Sequence, residues 1–370
     1  MSDPHRVRLD RCRDELARVG ADAAVLFPSP NLRYLTGFDE TPGERHLLLF
    51  VPREGEPAFV APTMYAGQLR EEASLGELHT WDDGDDPTDL VAGVAADLGV
   101  ADGHLLVDDR MWALFTEDLR AALPEATWGL AGEVFETLRM TKDDDEIDRL
   151  REAGALADEV SVAVRELGAD AVGMTESELA WEIERRLREA GGEGLSFAVI
   201  AGSGPNGAMP HHTHGDREIR PGDPVVLDFG AYVDGYPGDQ TRTVVFDGDP
   251  PADFETVHET VLEAHHAGIE AVEPGIEARA VDRAAREVIT EAGYGEEFVH
   301  RTGHGVGLEV HEPPYIVDDN DLTLEPGMVF SVEPGIYLDG EFGVRIEDLV
   351  VVTEDGHERL NDSPRGWRAL

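Results

Sequence analysis

The run Val225-Val-Leu-Asp-Phe-Gly-Ala-Tyr232 has the composition of a core strand, yet Asp228 interrupts it. A buried carboxylate without a cation, a proton or several donors is costly, so this position demands a partner. Asp234-Gly235 follows closely and is a strong signal for a two-residue hairpin turn. Such a turn sets Asp228 opposite Thr241. Asp239, two residues from Thr241, then lies on the same face as a diagonal neighbour of Asp228. Like charges so placed repel strongly unless something positive lies between them.

A second segment repeats the pattern. Met328 to Tyr337 reads as an apolar strand carrying Glu333, and a turn around Asp339-Gly340 leads into Val344-Arg-Ile-Glu-Asp-Leu-Val350. With the loop centred on Gly340, Glu333 faces Glu347. Both segments start from a Pro-Gly pair: Asp228 comes seven residues after Pro221, and Glu333 seven after Pro326. The repetition predicts a domain of two related halves, each carboxylate in the middle of its strand. Between them lies the glycine-rich stretch Gly303-His-Gly-Val-Gly-Leu-Glu-Val-His-Glu-Pro-Pro314, in which His304 offers a nitrogen ligand. Four carboxylates and an imidazole suit two divalent ions of moderately hard character, such as Mn²⁺, Co²⁺ or Fe²⁺. Ions about 3.5 to 4 Å apart would need bridging carboxylates. The competing explanation pairs each acid with one of the chain's arginines.

The rest of the chain limits the setting. Its 370 residues suggest two domains, and an apolar content of 41% supports substantial cores. The 30 basic residues are arginines except for one lysine, Lys142, and 78 acidic residues bring the formal net charge to −48. So acidic a surface disfavours nucleic acid and anionic membranes. It fits a salty cytoplasm, because at molar salt the Debye length falls to about 3 Å and self-repulsion fades. The single cysteine, Cys12, permits no internal disulfide and no cysteine-based zinc site. The charged start, MSDPHRVRLDRCRDEL, lacks the apolar core of a signal peptide, and no apolar run approaches membrane-spanning length. The expectation is a soluble, cytoplasmic protein.

Residues 1 to 135 read as a mixed α/β domain. Val7 to Ala17 predicts a helix ending near Gly20. Ala23 to Phe27, His46 to Val51 and Leu105 to Asp108 predict strands, and Asp82 to Asp89 an acidic turn region. His5, His46, His79 and His104 stand isolated, as expected of structural histidines. A second domain covers 141 to 370, beginning at the charged Lys142-Asp-Asp-Asp-Glu146. Helices are predicted over Ile147 to Val164, Glu176 to Ala190, Ala252 to Ala271 and Arg279 to Ala292. His258, His265 and His266, on the third of these, read as surface or packing residues. Gly202-Ser-Gly-Pro-Asn-Gly207 matches a dinucleotide-binding pattern, but Pro205 and Pro210 oppose the helix that must follow. No Gly-x-Ser-x-Gly elbow is present.

The sequence resembles the pita-bread metallopeptidases, a family that includes methionine aminopeptidase, prolidase and aminopeptidase P. The likeness extends over the whole chain for the proline-specific branch, with Asn31-Leu-Arg-Tyr-Leu-Thr-Gly37 similar to its creatinase-type N-terminal domain. The resemblance implies a two-domain α/β protein: the creatinase-type domain, then a pita-bread domain with pseudo-twofold halves. It implies Asp228 on one metal, Asp239 and Glu347 as bridges, and His304 with Glu333 on the other metal. It also places His211 and His311 beside the substrate, with Glu333 handling a proton and His300 and Arg345 as substrate-binding residues. His212 and His214 become rim residues. Arg345 either orients Glu347, contacts substrate or compensates the acids. The implied reaction is hydrolysis of the bond between an N-terminal residue and proline by hydroxide bridging two metals, Mn²⁺ or Co²⁺ in the first place, Fe²⁺ or Zn²⁺ in the second. The implied assembly is a homodimer acting on small proline-containing peptides. The complete ligand set argues against a creatinase and against a metal-free binding module. A lyase or hydrolase acting on another small substrate shares these residues.

Overall fold

The computed structural model describes residues 3–370, which divide into two compact units, 3–139 and Met140–Leu370. In the first unit, helix α1 (Pro4–Val19) closes on Gly20 in the left-handed conformation. The strands are β1 (Ala23–Leu26), β2 (Leu48–Pro52), β3 (Ala58–Pro62), β4 (Glu77–Trp81), β5 (His104–Val107) and β6 (Thr127–Leu130). They form one mixed sheet in the order β4-β3-β2-β1-β5-β6. Helices α2 (Pro30–Thr36), α3 (Ala66–Glu72), α4 (Pro87–Asp97), α5 (Ala113–Ala122) and α6 (Gly132–Met140) connect them. The apolar strands and the inner faces of α4 and α5 share one core that includes Val25, Phe50, Val60, Val94 and Phe115. The acidic stretch expected as a turn is only partly one. Asp86 caps the backbone N–H of Thr88 and Pro87 occupies the first helical turn, so α4 starts inside it.

The second unit begins with α7 (Asp144–Arg165), launched by a capping box between Asp143 and Glu146, which explains the charged run ahead of it. Thr175 and Glu178 form the same device on α8 (Glu176–Glu189). Next come β7 (Ile200–Ser203), β8 (Val225–Phe229), β9 (Tyr232–Val233), β10 (Tyr236–Pro237) and β11 (Gln240–Val244). A second pair of helices, α9 (Phe254–Glu270) and α10 (Ala278–Glu291), precedes β12 (Gly303–Gly305), β13 (Glu312–Ile316), β14 (Val329–Val332), β15 (Gly335–Leu338), β16 (Phe342–Arg345), β17 (Asp348–Thr353) and β18 (Gly356–Arg359). Each half therefore runs two helices and then antiparallel strands. The sheets are β11-β8-β7, β13-β12-β14-β17-β18 and the pairs β9-β10 and β15-β16.

Both registers expected from the turns are present. Asp234 and Gly235 have φ of 46° and 74°, as a two-residue turn with both central residues left-handed requires, and Asp228 pairs with Thr241. Val332 pairs with Asp348 and Gly335 with Arg345, so one register runs through both pairings and sets Glu333 against Glu347. One detail differs. Asp228 is inside β8, but Glu333 lies just past the end of β14, where Pro334 interrupts the ladder. Gly222 and Gly327, with φ of 83° and 90°, complete the Pro-Gly turns that start the two strands.

Candidate metal centre

Five side chains from both halves converge in the second unit: Asp228 from β8, Asp239 just before β11, His304 from β12, and Glu333 and Glu347 from the ends of β14 and β17. Ligand atoms of Asp239, His304 and Glu347 lie within 4.8 Å of one another. His304 Nε2 is 3.7 Å from Asp239 Oδ2 and 3.3 Å from Glu333 Oε1. The His304 Nδ1–H donates to the Gly305 carbonyl at 3.2 Å, which leaves the Nε2 lone pair aimed at two carboxylates. Burial, reinforced by His311, pushes the His304 pKa down to about 3, so the ring is neutral.

The acids are crowded in the same sense. Burial, then Glu347, Asp228 and Glu333, raise the Asp239 carboxyl well above the usual range. Burial, with Glu333 and Asp228, does the same to Glu347. Burial pushes Glu333 up to about 7, against the pull of Arg345. Asp228 Oδ1 is buried and has no hydrogen-bond partner. An orphaned carboxylate oxygen, a lone pair facing carboxylates and mutually repelling acids all call for cations between them. The donor set, four carboxylates and one imidazole, fits hard to intermediate divalent ions.

Arg345 is the internal counter-charge. Its amino group donates to Asp228 Oδ2 at 2.7 Å and its Nε to Thr241 Oγ1 at 3.0 Å. The Thr241 hydroxyl in turn donates to Glu347 Oε2 at 2.6 Å. Arg345 thus compensates Asp228 and orients Glu347 through Thr241. Burial opposes its charge, but Tyr337, Asp228, Glu333 and Glu347 raise its pKa well above the ordinary arginine value. Its other amino group donates to Tyr337 Oη at 2.9 Å and the Pro210 carbonyl at 3.3 Å. Tyr337 Oη donates to His300 Nε2 at 2.9 Å, because His300 Nδ1–H is engaged by the Arg301 carbonyl at 2.7 Å. Burial, then Arg345, lowers His300 to about 4, keeping it neutral. Asp348, behind Glu347, is held well below the usual carboxylate range: burial opposes this, and Arg242, His265 and Arg365 outweigh it.

The two histidines expected beside the substrate, His211 and His311, stand at the edge of this cluster. His211 is exposed and close enough to depress His300 further. His311 is exposed, with its ring centroid 4.0 Å from that of His304. His212 and His214 are half-buried and each has a partner: His212 donates to the buried Glu176 at 2.8 Å, and His214 Nδ1 is 3.0 Å from the Ser177 hydroxyl. His265 is fully buried beside Asp348, a packing role as expected. The glycine motif leads into a short 3₁₀ turn, Gly204–Ala208, not a phosphate-binding helix. A Cβ on Gly343 would lie 2.0 Å from the Gly207 carbonyl oxygen, so the motif's last glycine lies against a packing contact.

The chain matches the model of metallopeptidase family M24 over residues 148–354. The chain belongs to that family. Residues 8–141 match the Creatinase/Prolidase N-terminal domain, so the M24 domain follows a creatinase-type domain, with the pita-bread fold. The M24 chain is 46% identical over 352 residues to "Probable dipeptidase PepE" of Mycobacterium bovis, covering 94% of this chain and 92% of that protein. It is 37% identical to a Xaa-Pro dipeptidase of Lactobacillus helveticus, over 98% of this chain and 99% of that one. The structure of a prolidase from Thermococcus sibiricus superposes with a TM-score of 0.94 at 38% identity, covering both chains completely. M24 membership implies divalent metal ions, and the buried Asp239–His304–Glu347 group is where such an ion would sit. Among the described residues, no helix is long and apolar enough to cross a membrane.

Several contributors have no sequence signal of their own. Thr241 and Tyr337 are ordinary strand residues, and Glu176 reads as a helix-start acid. Only the register placing Thr241 across from Asp228 offered a route to one of them.

Proposed function

We propose that this M24 enzyme is a dinuclear-metal peptidase that hydrolyses the bond between an N-terminal residue and proline, with dipeptides as its main substrates. The observation that carries this is the convergence of Asp228, Asp239, His304, Glu333 and Glu347 around an unpartnered Asp228 oxygen. The names of the relatives, Xaa-Pro dipeptidase and prolidase, support the choice of substrate. Mn²⁺ or Co²⁺ fits the donor set best. A homodimer in a salty cytoplasm completes the proposal, and the acidic surface supports the salty setting.

Asp239 and Glu347 would bridge two ions, with Asp228 on one side and His304 and Glu333 on the other. Bound divalent ions activate water as a nucleophile and polarise the scissile carbonyl. Glu333 Oε1 accepts from the Ser331 hydroxyl at 3.1 Å, so Oε2 is the atom that takes up and returns a proton. His211 and His311 donate hydrogen bonds to the substrate and to the oxygen that gains charge during attack. Arg345 holds Asp228 through its hydrogen bond and orients Glu347 through Thr241.

Xaa-Pro dipeptides and Xaa-Pro-Xaa tripeptides, assayed with Mn²⁺ at high KCl, test the proposal. Dipeptide cleavage is expected to exceed tripeptide cleavage, and Glu333→Gln or His304→Ala to abolish both. Near wild-type turnover in either variant overturns the site assignment. A preference for tripeptides overturns the dipeptidase choice.

A further inference from the structure

We propose that Lys142 is a positioning residue that fixes His311 over the acid cluster. This rests on the role proposed for His311. Lys142 is the only lysine in the chain, and its side chain is 1% exposed. Nζ donates to Glu312 Oε1 at 2.8 Å and to the Met140 carbonyl at 3.3 Å. The Lys142 N–H donates to the Gly327 carbonyl at 2.9 Å, and Thr141 bridges Met328, so the lysine is tied to the start of the strand that leads to Glu333.

Glu312 immediately follows His311 and opens β13, where it pairs with Gly305, the neighbour of His304. His311 lies one residue ahead of the strand, so the residue that opens the strand anchors the backbone that carries it. Glu312 turns inward to Lys142 and is 4% exposed, while His311 turns outward onto the His304 ring. Glu312 Oε2 also accepts from the Glu309 N–H at 3.4 Å, which closes the loop ahead of His311. Gripping Glu312 therefore sets the direction of His311.

The geometry also accounts for the choice of lysine in a chain otherwise built with arginine. A Cβ on Gly307 would lie 2.1 Å from Glu312 Oε1 and 2.9 Å from Lys142 Cε, so the ion pair lies directly against that backbone. A compact ammonium suits such a place better than a planar guanidinium.

A double-mutant cycle on kcat/KM for a Xaa-Pro dipeptide with Mn²⁺ tests the coupling. Lys142→Met is expected to lower kcat/KM roughly tenfold in the wild-type background. In the His311→Ala background it is expected to change it less than about twofold. Equal factors in both backgrounds, or no loss in the wild type, overturn the inference. Should Lys142→Met fail to fold, Glu312→Gln, which keeps an acceptor for Nζ, goes through the same cycle with the same two outcomes. An unchanged kcat/KM in His311→Ala alone overturns the role of His311 and this inference with it. A loss there, combined with additive effects, overturns this inference only.

Discussion

Asp228 and Thr241 face each other across β8 and β11, and the Thr241 hydroxyl carries the pairing on to Glu347 at 2.6 Å. That hydroxyl also accepts from Arg345, so one threonine links the guanidinium on Asp228 to a carboxylate from the other half of the domain. Thr241→Val keeps the shape and removes both bonds. Residues that orient metal ligands typically change metal affinity or activity roughly 10- to 100-fold when mutated. A loss in that range is expected in Mn²⁺ titrations and in kcat/KM, and an unchanged Mn²⁺ affinity would contradict the role.

Glu176 governs a different part of the site. Its buried carboxylate accepts from the Ser203 N–H and hydroxyl, from the Asn206 amide and from His212. These donors lie at the end of β7 and along the segment that carries His211. Glu176→Gln replaces a charged acceptor with a group that also donates, and so weakens the hold on that segment. The expected result is a drop of roughly tenfold in kcat/KM with the same metal content by elemental analysis. Lost metal would show instead that the segment supports the cluster itself.

His258 makes stability depend on pH. Burial, then Arg165, depresses it from 6.5 to about 4. A base with a depressed folded pKa stabilises fully above its unfolded pKa, and that contribution is lost as pH falls from about 6.5 to about 4. Between pH 7 and pH 5 the loss is on the order of 2 kcal/mol. His258→Phe, beside Phe254, is expected to remove that share of the slope in urea unfolding at constant KCl. Parallel curves for variant and wild type would sink the assignment.

The acidic surface predicts stabilisation by salt. With a formal net charge of −48, the folded chain repels itself at low ionic strength, and molar KCl screens that repulsion. Thermal melting is expected to rise by more than about 5 °C between 0.1 M and 2 M KCl, what a gain of roughly 2 kcal/mol gives a domain of this size. A flat response would remove the case for a salty cytoplasm.

Legibility in the sequence followed the strength of local physics. Asp234-Gly235 dictates a two-residue turn, and that turn sets the register that brings Asp228 and Asp239 to one face. The loop at Gly340 did the same for Glu333 and Glu347. The capping boxes at Asp143 and Thr175 mark helix starts that the apolar spacing already implied. The rest depended on contacts distant in the chain. His212 looked like a surface histidine until α8 brought Glu176 beneath it, and nothing local to Tyr337 shows that it lies between His300 and Arg345. Hydroxyls and single acids of this kind gain their roles only when strands from both halves meet.

The most direct test of the centre is equilibrium Mn²⁺ binding to the full chain at high KCl, read as metal per chain by calorimetry and elemental analysis. Two ions per wild-type chain are expected, with Asp239→Asn and Glu347→Gln each losing both if these residues bridge as proposed, and His304→Ala retaining at most one. Wild-type stoichiometry of zero, or stoichiometry unchanged in Asp239→Asn and Glu347→Gln, would contradict a shared centre built from these five side chains.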